Sequence, residues 1–157
     1  MQKFTQQYVL QHPVEAVWEQ IDDFAGVASW NPVVNDTKIL TKHDRGLGAK
    51  RHCNLNNGFY VKEEITHYQA GESLQISLFE TSMPMKRSEI NMQLDAQSAT
   101  STRIVITTAF EPKFGIFGGM MGYLIIRPMM RRLLNQSFKA LEQKLGKASQ
   151  KALPSPA

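Results

Sequence analysis

Apolar and polar residues change their period three times along this chain. Residues 2–10 alternate loosely and predict a first strand. Behind Pro13, a residue suited to a helix start, Val14, Val17, Trp18 and Ile21 recur at helical spacing. That helix ends near Phe24-Ala25-Gly26. A second short turn, Val27-Ala28-Ser29-Trp30, is stopped by Pro32, because the residue before a proline avoids helical angles. Strand-like stretches follow at about 33–40, 47–55, 59–69, 73–81, 85–95 and 102–111. They are separated by Asp44-Arg45-Gly46, Asn56-Asn57-Gly58, Ala70-Gly71 and Ala96-Gln97-Ser98. Short strands with tight turns predict an antiparallel sheet. From about Gly118 to about Lys147 the helical period returns, with Leu134, Phe138, Leu141 and Leu145 in one apolar stripe. Pro128 lies inside this stretch and predicts a kink.

The expected fold is therefore α+β: a curved antiparallel sheet of about seven strands around one long C-terminal helix, with two short helices after the first strand. A single helix covers such a sheet incompletely, and the space left over predicts a cavity. Residues 1–147 form one domain in this reading, and 148–157, ending in Leu153-Pro154-Ser155-Pro156, are expected to be a disordered tail.

Asn56-Asn57-Gly58 permits a finer expectation. A three-residue hairpin loop commonly ends on a left-handed glycine. Gly58 in that place sets Leu55 opposite Phe59, Cys53 opposite Val61, and Arg51 opposite Glu63. One sheet face then carries Cys53, Leu55, Phe59, Val61 and Ile65 together with the pair Arg51–Glu63, and that face is expected to look inward. A two-residue Asn57-Gly58 turn would break this pairing.

Composition narrows the class of protein. With 157 residues, 42% hydrophobic and 20% charged, the chain fits one soluble globular domain. A lone cysteine, Cys53, cannot form an intramolecular disulfide. The start, Met1-Gln2-Lys3-Phe4-Thr5-Gln6-Gln7-Tyr8, lacks the apolar core of a signal peptide, and a cytoplasmic location is the expectation. The apolar run 114–126 is short of the roughly 20 residues that span a bilayer. The net charge of +4 is concentrated at the end, where residues 111–157 hold 8 Lys/Arg against 2 Asp/Glu. This basic helix is either a solvated outer face or a docking surface for an anionic membrane; nucleic acid is the less favoured partner.

The order of elements and several local motifs resemble the helix-grip fold of the START and birch-pollen-allergen superfamily. Pro13-Val14-Glu15-Ala16-Val17-Trp18, Asp23-Phe24 and Trp30-Asn31-Pro32-Val33-Val34 are similar to its opening. Gly46-Leu47-Gly48 with Arg51, Glu63-Glu64-Ile65 with Tyr68, and Phe110-Glu111-Pro112-Lys113 extend the likeness over about residues 3–146. It is closest to the bacterial polyketide cyclase/dehydrase and lipid-transport branch. Where that branch tends to have Asp-Pro-Gly, this chain has Gln69-Ala70-Gly71, a difference confined to a turn. The resemblance implies a small hydrophobic ligand (lipid, quinone or polyketide-like) held between sheet and helix. It implies no particular reaction.

The residues themselves call for no cofactor. There is no phosphate loop, dinucleotide fingerprint or Gly-x-Ser-x-Gly, and His12, His43, His52 and His67 share no metal-ligand spacing. The candidate ligand-binding set is Trp30, Arg51, Cys53, Val61, Glu63 and Ile65, with Met120, Leu124 and Phe138 from the helix. Cys53 reads as a small hydrophobe. Arg51, Glu63 and His67 are the catalytic candidates. Glu63 and His67 stand four residues apart, roughly 13 Å along one strand, so only a ligand could span them. A guanidinium in a dry cavity can polarise a carbonyl for cyclisation, or it can simply satisfy Glu63 as a structural ion pair. The expected function is binding or carriage of a hydrophobic molecule; a cyclase or dehydratase activity in the same cavity and an interaction module docking through the basic helix are the alternatives. The oligomeric state is not legible.

Overall fold

The computed structural model describes residues 1–152, with side chains described as far as Ser149. Strand β1 (Gln2–Leu10) leads to helix α1 (Val14–Asp22) and a single 3-10 turn (Val27–Ser29). Six strands follow: β2 (Val34–Ile39), β3 (Lys50–Leu55), β4 (Tyr60–Gln69), β5 (Ser73–Thr81), β6 (Met85–Ser98) and β7 (Ser101–Pro112). They form one antiparallel seven-stranded sheet in the order β1-β7-β6-β5-β4-β3-β2, so β1 and β2 are its edges. Helix α2 (Gly115–Met121), a π-helical segment (Gly122–Ile126) and helix α3 (Arg127–Ala152) complete the chain. This is the α+β helix-grip architecture.

The β3–β4 hairpin has the register set by a three-residue loop. Gly58 adopts φ 86°, its N–H donates to Leu55 O at 3.2 Å, and Leu55 N–H donates to Phe59 O at 2.8 Å. Cys53 pairs with Val61 and Arg51 with Glu63. Pro13 opens α1 by offering its carbonyl to Val17 N–H at 3.1 Å.

Two local expectations are corrected, at the β6–β7 turn and at the C-terminal tail. The β6–β7 turn falls at Ala99-Thr100, not Ala96-Gln97-Ser98, because both strands run on until Ser98 pairs with Ser101. Pro128 is accommodated by a widened turn just ahead of it. Arg127 N–H reaches Gly122 O, five residues back, an arrangement that shifts carbonyls away from the proline ring. Helix α3 continues past Lys147, so 148–152 of the expected tail is helical, and 153–157 lies outside the described residues.

The core has two apolar clusters between sheet and helix. Phe138, Leu141 and Leu145 of α3 pack with Leu10, Val17, Phe24 and Ile65 in one. Ile126 and Met130 pack with Phe4, Cys53, Val61 and Phe110 in the other. The predicted helix stripe faces the sheet, with Leu134 half-buried between the clusters.

Candidate functional site

Arg51 and Glu63 face each other from adjacent strands on the concave side of the sheet. Arg51 Nε donates to Glu63 Oε2 at 2.8 Å, and the two residues are only 8% and 9% exposed. The guanidinium also donates through Nη1 to Phe24 O at 3.0 Å and lies over the Phe24 ring, 3.8 Å from its centroid. The Phe24 carbonyl is free for this because α1 has ended at Asp22, two residues earlier. A stacked, charge-paired guanidinium is held in one orientation.

Next to this pair the sheet, the 3-10 turn and α3 line a mainly apolar, partly open cavity of about 160 Å³. Arg51, Cys53, Val61 and Glu63 line its β3–β4 wall, and Ile76, Leu78, Ser88, Ile90 and Met92 line it from β5 and β6. Met130, Leu134 and Phe138 form the helix wall, with Val27, Trp30 and Val33 at the end near the 3-10 turn. Phe138 is fixed from behind by Tyr8, whose ring stacks on it with centroids 4.8 Å apart. Ser137 Oγ, 3.0 Å from Asn31 Oδ1, ties α3 to the segment carrying Trp30.

Two residues of this lining each carry a buried polar atom with no partner within the described residues. Trp30 Nε1 and Ser88 Oγ are both buried and make no hydrogen bond. An orphaned buried donor costs about 1–3 kcal/mol. The carboxylates are already engaged: Glu63 by Arg51, and Asp23, which also lines the cavity, by Gly26 N–H at 3.2 Å. Burial pushes the Cys53 thiol above its ordinary value, with Arg51 opposing and Glu63 adding to the rise. Such a thiol stays protonated and inert near neutral pH.

Of the sequence-predicted liners, Trp30, Arg51, Cys53, Val61, Glu63 and Phe138 border this cavity. Ile65 does not; it is buried in the cluster around Phe24 and Leu141. Met120 and Leu124 lie outside as well, 66% and 62% exposed. His67 is exposed and outside the cavity. The reason is a bulge: Ile65 pairs with Ile76 and His67 with Gln75, leaving Thr66 unpaired. One extra residue reverses the alternation beyond it. His67 therefore turns out to solvent, and Tyr68 turns inward against Trp18 and donates to Asp22 Oδ1 at 2.7 Å.

Sequence reasoning missed the β5–β6 wall. Its signal was present in the alternation Leu74, Ile76, Leu78 and in Ser88, Ile90, Met92, Leu94. A lone serine in such a pattern carries no functional mark, so Ser88 was not separable from a structural hydroxyl.

The fold recurs among solved structures of low sequence identity. A START superfamily protein from Mycobacterium smegmatis superposes with a TM-score of 0.77 at 15% identity, over 93% of this chain and 98% of that one. The protein XoxI from Bacillus cereus gives 0.75 at 18% identity, covering 95% and 99%. The major latex-like protein 151 of Panax ginseng gives 0.72 at 14% identity, covering 91% and 96%. At these identities the likeness speaks for the fold alone. A comparison of the sequence with curated proteins gives no match. Across residues 1–146 the sequence matches the family model described as polyketide cyclase / dehydrase and lipid transport, and the chain belongs to that family.

Proposed function

We propose that this protein binds one small apolar molecule bearing a hydrogen-bond acceptor, in the cavity beside Arg51 and Glu63. The cavity volume carries this reading. An apolar cavity of about 150 Å³ takes a benzene-sized guest, whereas drug-sized ligands occupy about 300–1,000 Å³. At about 160 Å³ this cavity has room for a single ring, not for a diacyl lipid. Trp30 Nε1 can only donate, which selects a carbonyl, ether or hydroxyl oxygen on the guest.

The cyclase or dehydratase alternative has less behind it. Beside Arg51 it needs Glu63 or His67 to move the proton, and His67 faces solvent. Glu63 is bound to Arg51 and so serves better to fix the guanidinium than to move protons.

Calorimetric titration with acetophenone and with ethylbenzene, similar in size but differing in the carbonyl, tests the proposal. The ketone is expected to bind one per chain and more tightly, with the difference reduced in Ser88→Ala. Equal binding of the two would overturn the polar part. Stoichiometric retention of a diacyl lipid in native mass spectrometry would overturn the size limit.

A further inference from the structure

The segment after β7 presents most of its large apolar side chains to solvent and buries Gly118 and Gly122 against the protein. Phe114, Ile116, Phe117, Met120, Tyr123, Leu124 and Ile125 are each at least 60% exposed. Seven large side chains this exposed within twelve residues make an apolar patch of the kind that marks an interaction surface. The inner face is glycine because nothing larger fits. A Cβ on Gly118 would lie 1.9 Å from Lys113 O, and one on Gly122 would lie 2.6 Å from Gln2 Nε2 and from Pro112 Cγ. Gln2 Nε2 further pins the segment by donating to Gly119 O at 2.8 Å. The apolar face is thus held outward by close packing behind it.

The charges around this face have one sign. Between residues 112 and 141 the chain has Lys113, Arg127, Arg131, Arg132 and Lys139 and no acidic residue. The preceding acid, Glu111, is occupied by Lys86 at 3.4 Å and Arg87 at 2.9 Å. Arg127 stands over the Tyr123 ring, 5.5 Å from its centroid, so positive charge lies at the border of the patch itself. A second copy of this chain docked face to face would bring two such cationic borders together. Among the described residues no helix is long and apolar enough to cross a membrane.

We propose that residues 114–125 form a docking face for an anionic membrane surface, with Ile116, Phe117, Met120 and Leu124 entering the interfacial layer and Arg127 and Arg132 pairing with lipid phosphates. Apolar insertion and electrostatic attraction act together in this mode of binding. The inference rests on the surface alone and does not depend on what the cavity holds.

Co-sedimentation of the full chain with phosphatidylcholine vesicles containing about one third phosphatidylglycerol tests it. Binding is expected, weakening steeply with added salt and falling at least about tenfold in Ile116→Asp and Phe117→Asp. Both side chains are exposed, so these variants keep their fold, as circular dichroism would verify. The pair Arg127→Gln and Arg132→Gln should remove the preference over pure phosphatidylcholine. Failure of the wild type to sediment with the anionic vesicles would overturn the proposal, as would undiminished binding by both Asp variants. A dimer in sedimentation velocity that Phe117→Asp disperses, without vesicle binding, would assign the face to a second copy instead.

Discussion

Arg51 Nε and Glu63 Oε2 meet at 2.8 Å across the β3–β4 hairpin, with both side chains close to nine-tenths buried. The pair is at once a structural element of the core and the polar edge of the cavity. Removing one partner leaves the other charge buried, which costs about 3–5 kcal/mol. Arg51→Met and Glu63→Gln should each lower the urea midpoint accordingly. The double variant Arg51→Met with Glu63→Leu should recover most of the loss, because apolar residues of similar volume can replace a buried pair at little cost. A double variant no more stable than either single one would contradict this account.

The hairpin register that makes this pair was readable from Asn56-Asn57-Gly58, because loop length and a left-handed glycine fix which residues face each other. The bulge at Thr66 was not readable. No glycine or proline marks it, and the strand pattern around it tolerates either face. That single residue took His67 out of the face assigned to it and brought Tyr68 in. A similar limit applies to Met120 and Leu124. Helical period groups apolar residues on one side without saying which side is inward, and the close packing of Gly118 and Gly122 decides it.

Glycine to alanine at those two sites should therefore have an unusual sign. In an exposed helix interior this change stabilises by about 1 kcal/mol. Gly118→Ala and Gly122→Ala should instead lower Tm, since the added methyl groups meet Lys113 O, Gln2 and Pro112. Gly146→Ala, with nothing within 4 Å of its Cβ, should raise Tm and serves as the control.

Cys53 should behave as a buried hydrophobe. Iodoacetamide is expected to label it slowly in the folded protein and rapidly in urea. Burial raises its folded-state pKa above the ordinary 9.0, so near and above that pH the native state holds a proton that the unfolded chain releases. Stability from this group is complete below the unfolded value and declines as pH rises through it. Between about pH 8 and 10 the wild type should lose stability more steeply than Cys53→Ala. Parallel pH profiles would contradict the assignment.

His67→Ala should leave acetophenone affinity unchanged, since its ring is exposed and outside the cavity. Ser88→Ala should weaken it about two- to twelvefold, the scale of one lost hydrogen bond of about 0.5–1.5 kcal/mol. The reverse ranking, measured by calorimetry, would restore His67 to the site.

The most direct test of the cavity reading is the indole N–H resonance of Trp30 in a ¹⁵N-labelled sample. Trp18, which packs on Tyr68 and does not line the cavity, supplies the internal reference. Saturation with acetophenone should shift the Trp30 indole proton downfield and leave Trp18 in place, while ethylbenzene should leave the Trp30 proton without that shift. An unmoved Trp30 signal at saturating ketone, or equal movement of both tryptophans, would contradict a guest seated in this cavity with its oxygen on Trp30.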